Sequence, residues 1–158
     1  MTKDIYRMKH ENFVLLNEIV DTADQINLIG LMDHGGRAGS NFVQCLFDRH
    51  TEVISCPLVH YVYSYWIDIF ADRDEITLDE AREFVATRSY FRFIYNSPEN
   101  KNTAFIRKIG GDDKIEFDFD LYHELVDAYL DSREMFSRRN FLSVLYVIYA
   151  YVFGKELK

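Results

Sequence analysis

The sequence predicts an α/β domain: one early strand, a glycine-rich loop and a helix, followed by a mostly helical remainder. Three observations lead there. Residues 26–32 form a short continuous apolar run, Gly30, Gly35, Gly36 and Gly39 crowd beside it although the whole chain has seven glycines, and only two prolines, Pro57 and Pro98, interrupt the rest of the chain. A brief apolar run suits a strand of a parallel sheet covered on both faces, and few breakers leave room for long helices.

From the N-terminus, residues 3–20 set Ile5, Met8, Phe13, Leu16, Ile19 and Val20 near a helical period, predicting an amphipathic helix. The strand at 26–32 leads into the loop, and residues 41–49 form the loop's helix. After Pro57, residues 59–70 predict an apolar helix whose Tyr/Trp stripe reads as core. Thr77-Leu78-Asp79-Glu80 is a capping box, so a helix is expected from Leu78 towards Tyr95. Its Arg82, Arg88 and Arg92 read as a solvated face paired with Asp79, Glu80 and Glu83, with an anion-facing stripe as the alternative. Residues 96–100 predict a turn, 103–109 a short helix stopped by Gly110-Gly111, and the acids Asp118 and Asp120 favour a helix over about 120–132. The last helix is expected over 137–154, buried, since its apolar run is too short to span a bilayer. No internal repeat, low-complexity tract or clear linker stands out, so one domain is expected, with 57–158 its mainly helical part. One strand cannot make a sheet: 105–109 or 115–119 supplies a partner, or the sheet is completed by sequence or subunits outside this chain. An open sheet edge of that kind would favour self-association.

The loop carries the chemistry. Glycines let the backbone bring its N–H groups close to an anion, and the first turn of the following helix adds unpaired donors and a positive dipole end. Arg37, Ser40 and Asn41 add side-chain donors. Gly39 is followed by Ser40 where a nucleotide-triphosphate loop has lysine, and G-x-G-x-x-G is absent, so ATP hydrolysis and hydride transfer lose ground.

Gly36-Arg37-Ala38-Gly39-Ser40-Asn41, an apolar helix, and then Leu46-Phe47-Asp48-Arg49-His50-Thr51-Glu52-Val53 resemble the 5'-phosphosulfate-binding loop of sulfotransferases. Those enzymes show [RK]-x-G-[TS]-[TSN] after the first strand and a helix ending near Leu-Leu-Asp-x-His-Pro-x-Val. The resemblance implies the N-terminal portion of a P-loop NTPase-like fold. It also implies transfer of a sulfuryl group from 3'-phosphoadenosine 5'-phosphosulfate (PAPS) to a hydroxyl or amine of a small-molecule or glycan acceptor, without a metal. By this resemblance Gly35, Gly36, Arg37, Ala38, Gly39, Ser40 and Asn41 bind the donor, Arg37 contacting the phosphosulfate. Thr51 stands where proline is usual and Asn41 where a hydroxyl is commoner, and neither change removes a donor from the loop.

The family's second element, an Arg with a Ser eight residues later for the 3'-phosphate, has no counterpart downstream of the loop: Arg73, Arg82, Arg88 and Arg133 lead to Ala81, Tyr90, Asn96 and Phe141. The chain therefore reads as a truncated, fragmentary or divergent member. For the base that sulfuryl transfer needs, His60 is the candidate and Glu52 the second, while His50 is expected to fix the end of the loop helix. A noncatalytic helical interaction module derived from such a domain is the alternative function, with exposed apolar surface around 141–153 as its mark. A small-molecule kinase with a divergent loop is a third reading.

Composition sets the remaining bounds. The net charge of -8 argues against a nucleic-acid partner yet allows a local anion pocket. Cys45 and Cys56 show no zinc spacing, and residues 1–10 lack a secretory apolar segment, so reduced thiols and a cytoplasmic location are expected.

Overall fold

A computed structural model describes residues 2–27, 47, 50, 52–53, 62–88, 95 and 117–154, with side chains described from residue 14 in the first helix and over 66–87 and 117–154. The described part is mostly helical with one small two-stranded antiparallel sheet. Helix α1 spans Thr2–Gln25, α2 Val62–Phe70, β1 Glu75–Thr77, and α3 Leu78–Glu83, which widens into a π-helical turn over Phe84–Arg88. Helix α4 spans Phe119–Asp131, β2 Met135–Ser137 and α5 Arg138–Val152.

The helices near 62–70, 119–131 and 138–152 lie where periodicity and capping residues put them. In α1 the buried Leu16, Ile19 and Ala23 form one face, turned towards α4 and α5. The capping box is present in full: the Glu80 amide donates to the Thr77 hydroxyl at 3.4 Å, and the Thr77 amide donates to the Glu80 carboxylate at 2.9 Å. Asp118 starts α4 by accepting from the Leu121 amide at 2.9 Å.

Several expectations are corrected. The described sheet joins β1 to β2, two strands not foreseen. Phe117 and Asp118 are neither strand nor helix and Phe119 opens α4, so 115–119 is not a strand over these residues. The helix from Leu78 is α-helical for only six residues before its hydrogen bonding widens. Arg82 pairs with Asp131 of α4 rather than with an acid of its own helix. The strand expected at 26–32 falls outside the described residues beyond Ile26 and Asn27, which are neither helix nor strand, as do the segments 96–116 and both cysteines.

One order of elements occurs twice among the described residues. α2–β1–α3 and α4–β2–α5 are two helix–turn–strand–helix units, packed so that Ile76 and Phe136 face each other across the antiparallel ladder. Beyond the ladder the Leu78 amide donates to the Glu134 carbonyl at 2.9 Å, and the Arg138 amide to the Asp74 carbonyl at 2.6 Å. These two bonds are counterparts, because Leu78 and Arg138 each open the second helix of their unit. In a three-residue strand one side chain points inward, and here Ile76 and Phe136 are that residue, both essentially inaccessible.

One aromatic cluster binds the units together. Trp66 and Phe84 of the first unit contact Phe141 of the second at ring-centroid distances of 6.1 and 5.9 Å, and Phe141 contacts Phe136 at 5.6 Å. Edge-to-face and tilted pairs of this kind add directional preference to burial. Helix α5 lies deep in the core: Phe141, Leu142, Val144, Leu145, Val147, Ile148, Tyr149 and Ala150 are buried. Within the run 141–153 Tyr151 is the one exposed residue. Among the described residues no helix is long and apolar enough to cross a membrane.

Candidate functional site

The donor-loop residues Gly35, Gly36, Arg37, Ala38, Gly39, Ser40 and Asn41, and the candidate base His60, lie outside the described residues. The end of the loop helix is described at Phe47, which is helical, and at His50. The His50 amide donates to the Phe47 carbonyl at 2.9 Å, and the Glu52 amide donates to His50 Nδ1 at 3.2 Å. These bonds tie His50 to Phe47 and to Glu52; the rest of the helix expected over 41–49 lies outside the described residues. Glu52 is exposed there.

The segments that join the helices of each unit lack the ligand pattern of a calcium site. Calcium-binding helix–loop–helix motifs use a twelve-residue loop with oxygen ligands at alternating positions, a glycine at the sixth and a bidentate glutamate at the twelfth. Here the segments between the helices, 71–77 and 132–137, include the short strands and hold no glycine. The glutamate beyond the first turn is taken: Arg73 reaches both Glu80 oxygens, at 2.7 and 2.9 Å. That guanidinium and the Thr77 amide hold the Glu80 carboxyl down at about 2. Arg73 is itself anchored, its carbonyl accepting from Trp66 Nε1 at 2.8 Å and its guanidinium lying 5.9 Å from the Phe70 ring centre. A guanidinium therefore supplies the positive charge in this turn. Among the described residues no group of three or more His, Cys, Asp or Glu is placed to hold a metal ion.

A different constellation forms where Tyr95 meets α4. The Tyr95 hydroxyl donates to Asp127 Oδ1 at 2.6 Å, the other oxygen of Asp127 lies 3.2 Å from His123 Nδ1, and the tyrosine and imidazole rings stack at 4.4 Å. His123, Asp127 and Asp131 follow one another at four-residue steps and so share a face of α4. Arg82, arriving from α3, pairs with Asp131 on the same side. Burial, and then the hydrogen bond to Asp127, push the Tyr95 phenol well above its ordinary range, so it remains a donor.

Sequence reasoning missed this cluster. The signal within α4 was present, a His and an Asp four apart on a predicted helix, but Tyr95 joins from 32 residues away and no local pattern announces such a contact. No protein-family model, curated protein or solved structure matches the chain.

Proposed function

We propose that the chain carries the donor-binding portion of a PAPS-dependent sulfotransferase, with the P-loop-like strand–loop–helix as the anion site. The observation that carries this reading is the spacing from Ile26 to Val53: apolar run, Arg37, Gly39, Ser40, Asn41, an apolar helix, then His50 at its end. The hydrogen bond from the Glu52 amide to His50 Nδ1 is compatible with it, because it gives the histidine of that pattern a local backbone partner. Arg37 and the loop amides would neutralise the charge on the phosphosulfate as the S–O bond to the leaving phosphate breaks, the usual electrostatic route to lowering such a barrier. The paired helical units form the body beside which an acceptor, a small molecule or glycan bearing a hydroxyl or amine, is bound. His60 is the base that sequence position suggests.

Calorimetry with adenosine 3',5'-bisphosphate tests the assignment. The wild-type chain is expected to bind it, and Arg37→Ala to weaken binding by one to two orders of magnitude, about the worth of a charge-assisted hydrogen bond to an anion. Binding that Arg37→Ala leaves unchanged would overturn the reading.

A further inference from the structure

We propose that α1 is a stand-in ligand: it occupies a helix-binding groove formed by α4 and α5, from which an amphipathic helix of a partner protein displaces it. The partner helix carries aliphatic residues at the spacing of Leu16, Ile19 and Val20, and a hydrogen-bond acceptor for Tyr129 at the end of that row.

Four observations carry it. The first is how α1 is attached. It packs against α4 and α5, and over its described side chains the contact is a single stripe. Leu16, Ile19 and Ala23 are buried and Val20 is half-buried beside them, while Glu18, Asp21 and Asp24 on the other side are exposed. Anchors at i, i+3, i+4 and i+7 are the pattern by which a groove takes an amphipathic helix. The second is that the frame is closed without it. The ladder between β1 and β2 and the contacts of Trp66 and Phe84 with Phe141 come from the two units themselves.

The third is a mismatch of charge at the end of α1. Asp21 and Asp24 stand near its C-terminus and its last turn holds no basic residue, so carboxylates meet the negative end of the helix dipole. The fourth is a mismatch of hydrogen bonding at the same end. Tyr129 of α4 is fully buried and its hydroxyl has no hydrogen-bond partner. Burial pushes that phenol up to about 12 against the pull of Arg133, and Asp24 is near enough to add to the rise, so the group stays a donor beside the end of α1. A buried donor left unpaired keeps its whole desolvation cost, and Ala23, the last anchor of α1, has no side-chain acceptor to relieve it. A helix that brings an acceptor there makes a bond that α1 does not make. Against this, α1 has the advantage of covalent attachment.

The test uses the full chain and a fluorescein-labelled peptide of residues 2–27, read by fluorescence anisotropy, with Trp66 emission reporting on the two units. Ile19→Asp sets a carboxylate in the apolar stripe and is expected to unseat α1 while Trp66 stays buried. The peptide is expected to bind the Ile19→Asp chain about tenfold or more tightly than the wild type, whose groove is filled by a tethered helix at an effective concentration on the order of millimolar. A peptide with Ala23→Ser is expected to bind that chain about three- to tenfold more tightly than the natural peptide, the worth of one hydrogen bond to Tyr129. In the wild type, amide hydrogen exchange is expected to be faster through α1 than through α4 and α5. Exchange through α1 as slow as through α4 and α5, or Trp66 exposed in the Ile19→Asp chain, would make α1 an integral part of the core and overturn the proposal. A folded Ile19→Asp chain that binds the peptide no better than the wild type, or two peptides of equal affinity, would overturn it too. Wild-type dimers that exchange α1, seen by sedimentation and lost in Ile19→Asp, would give the groove to a second copy and overturn the assignment to a partner protein.

Discussion

Thr77 and Ser137 hold the same place in their units, each the N-cap of the helix that leaves the strand, yet their side chains do different things. Thr77 accepts from the Glu80 amide and completes a reciprocal box, whereas the Ser137 side chain makes no capping hydrogen bond. Thr77→Ala is therefore expected to cost about 1 kcal/mol and Ser137→Ala a few tenths, measured by urea denaturation. Glu80 ties the cap to Arg73, and its folded-state value of about 2 lies below its ordinary 4.5. A depressed carboxylate contributes stability that is complete above its unfolded value and lost as pH falls through the folded one. The contribution should accordingly fade between about pH 4.5 and 2. Because the pair is largely solvated, the effect is modest, and Glu80→Gln should flatten that part of the acid-denaturation curve.

At the scale of elements, the strand pair depends on its two inward residues. Phe136 packs edge-to-face against Tyr129 and Phe141 and is 1% exposed, so Phe136→Ala is expected to destabilise by about 3–5 kcal/mol. Calorimetric melting would check it. The helices were legible in the sequence because each carries its own signal: the Thr77–Glu80 box, Asp118 ahead of α4, and the apolar density of α5. The strands were not, since Glu75-Ile76-Thr77 and Met135-Phe136-Ser137 are too short for an alternation to show, and each is stabilised by a partner about sixty residues away. The likeness of the two units is faint in the sequence for a related reason. Arg73 matches Arg133 and Thr77 is like Ser137, but Trp66 answers to Val126 and Ala81 to Phe141, because the two units fill opposite sides of one core with unequal side chains. The glycine-rich loop expected to bind an anion lies outside the described residues, while the Tyr95–Asp127–His123 cluster exists only once distant segments are folded together.

For the whole molecule, the decisive fact is that the buried residues of both units and of α1 belong to one cluster. Neither unit keeps its apolar face covered without the other, so unfolding is expected to be cooperative. Trp66, the single tryptophan, is fully buried in the first unit and reports on it by fluorescence. Its transition in urea should coincide with the loss of total helicity by circular dichroism, and two separated transitions would show that the units melt independently. The arginine ion pairs Arg73–Glu80, Arg82–Asp131 and Arg138–Asp74 sit at junctions between elements rather than within the core.

The ladder between Glu75–Thr77 and Met135–Ser137 also bears on behaviour at high concentration. Each edge is complementary to the opposite edge in any other copy, so a chain opened between its halves has two ways to close. Covalent connection favours closure at home in dilute solution. Refolding at protein concentrations on the order of millimolar, where a neighbour's edge is as close as one's own, should instead yield intertwined dimers whose halves have traded places.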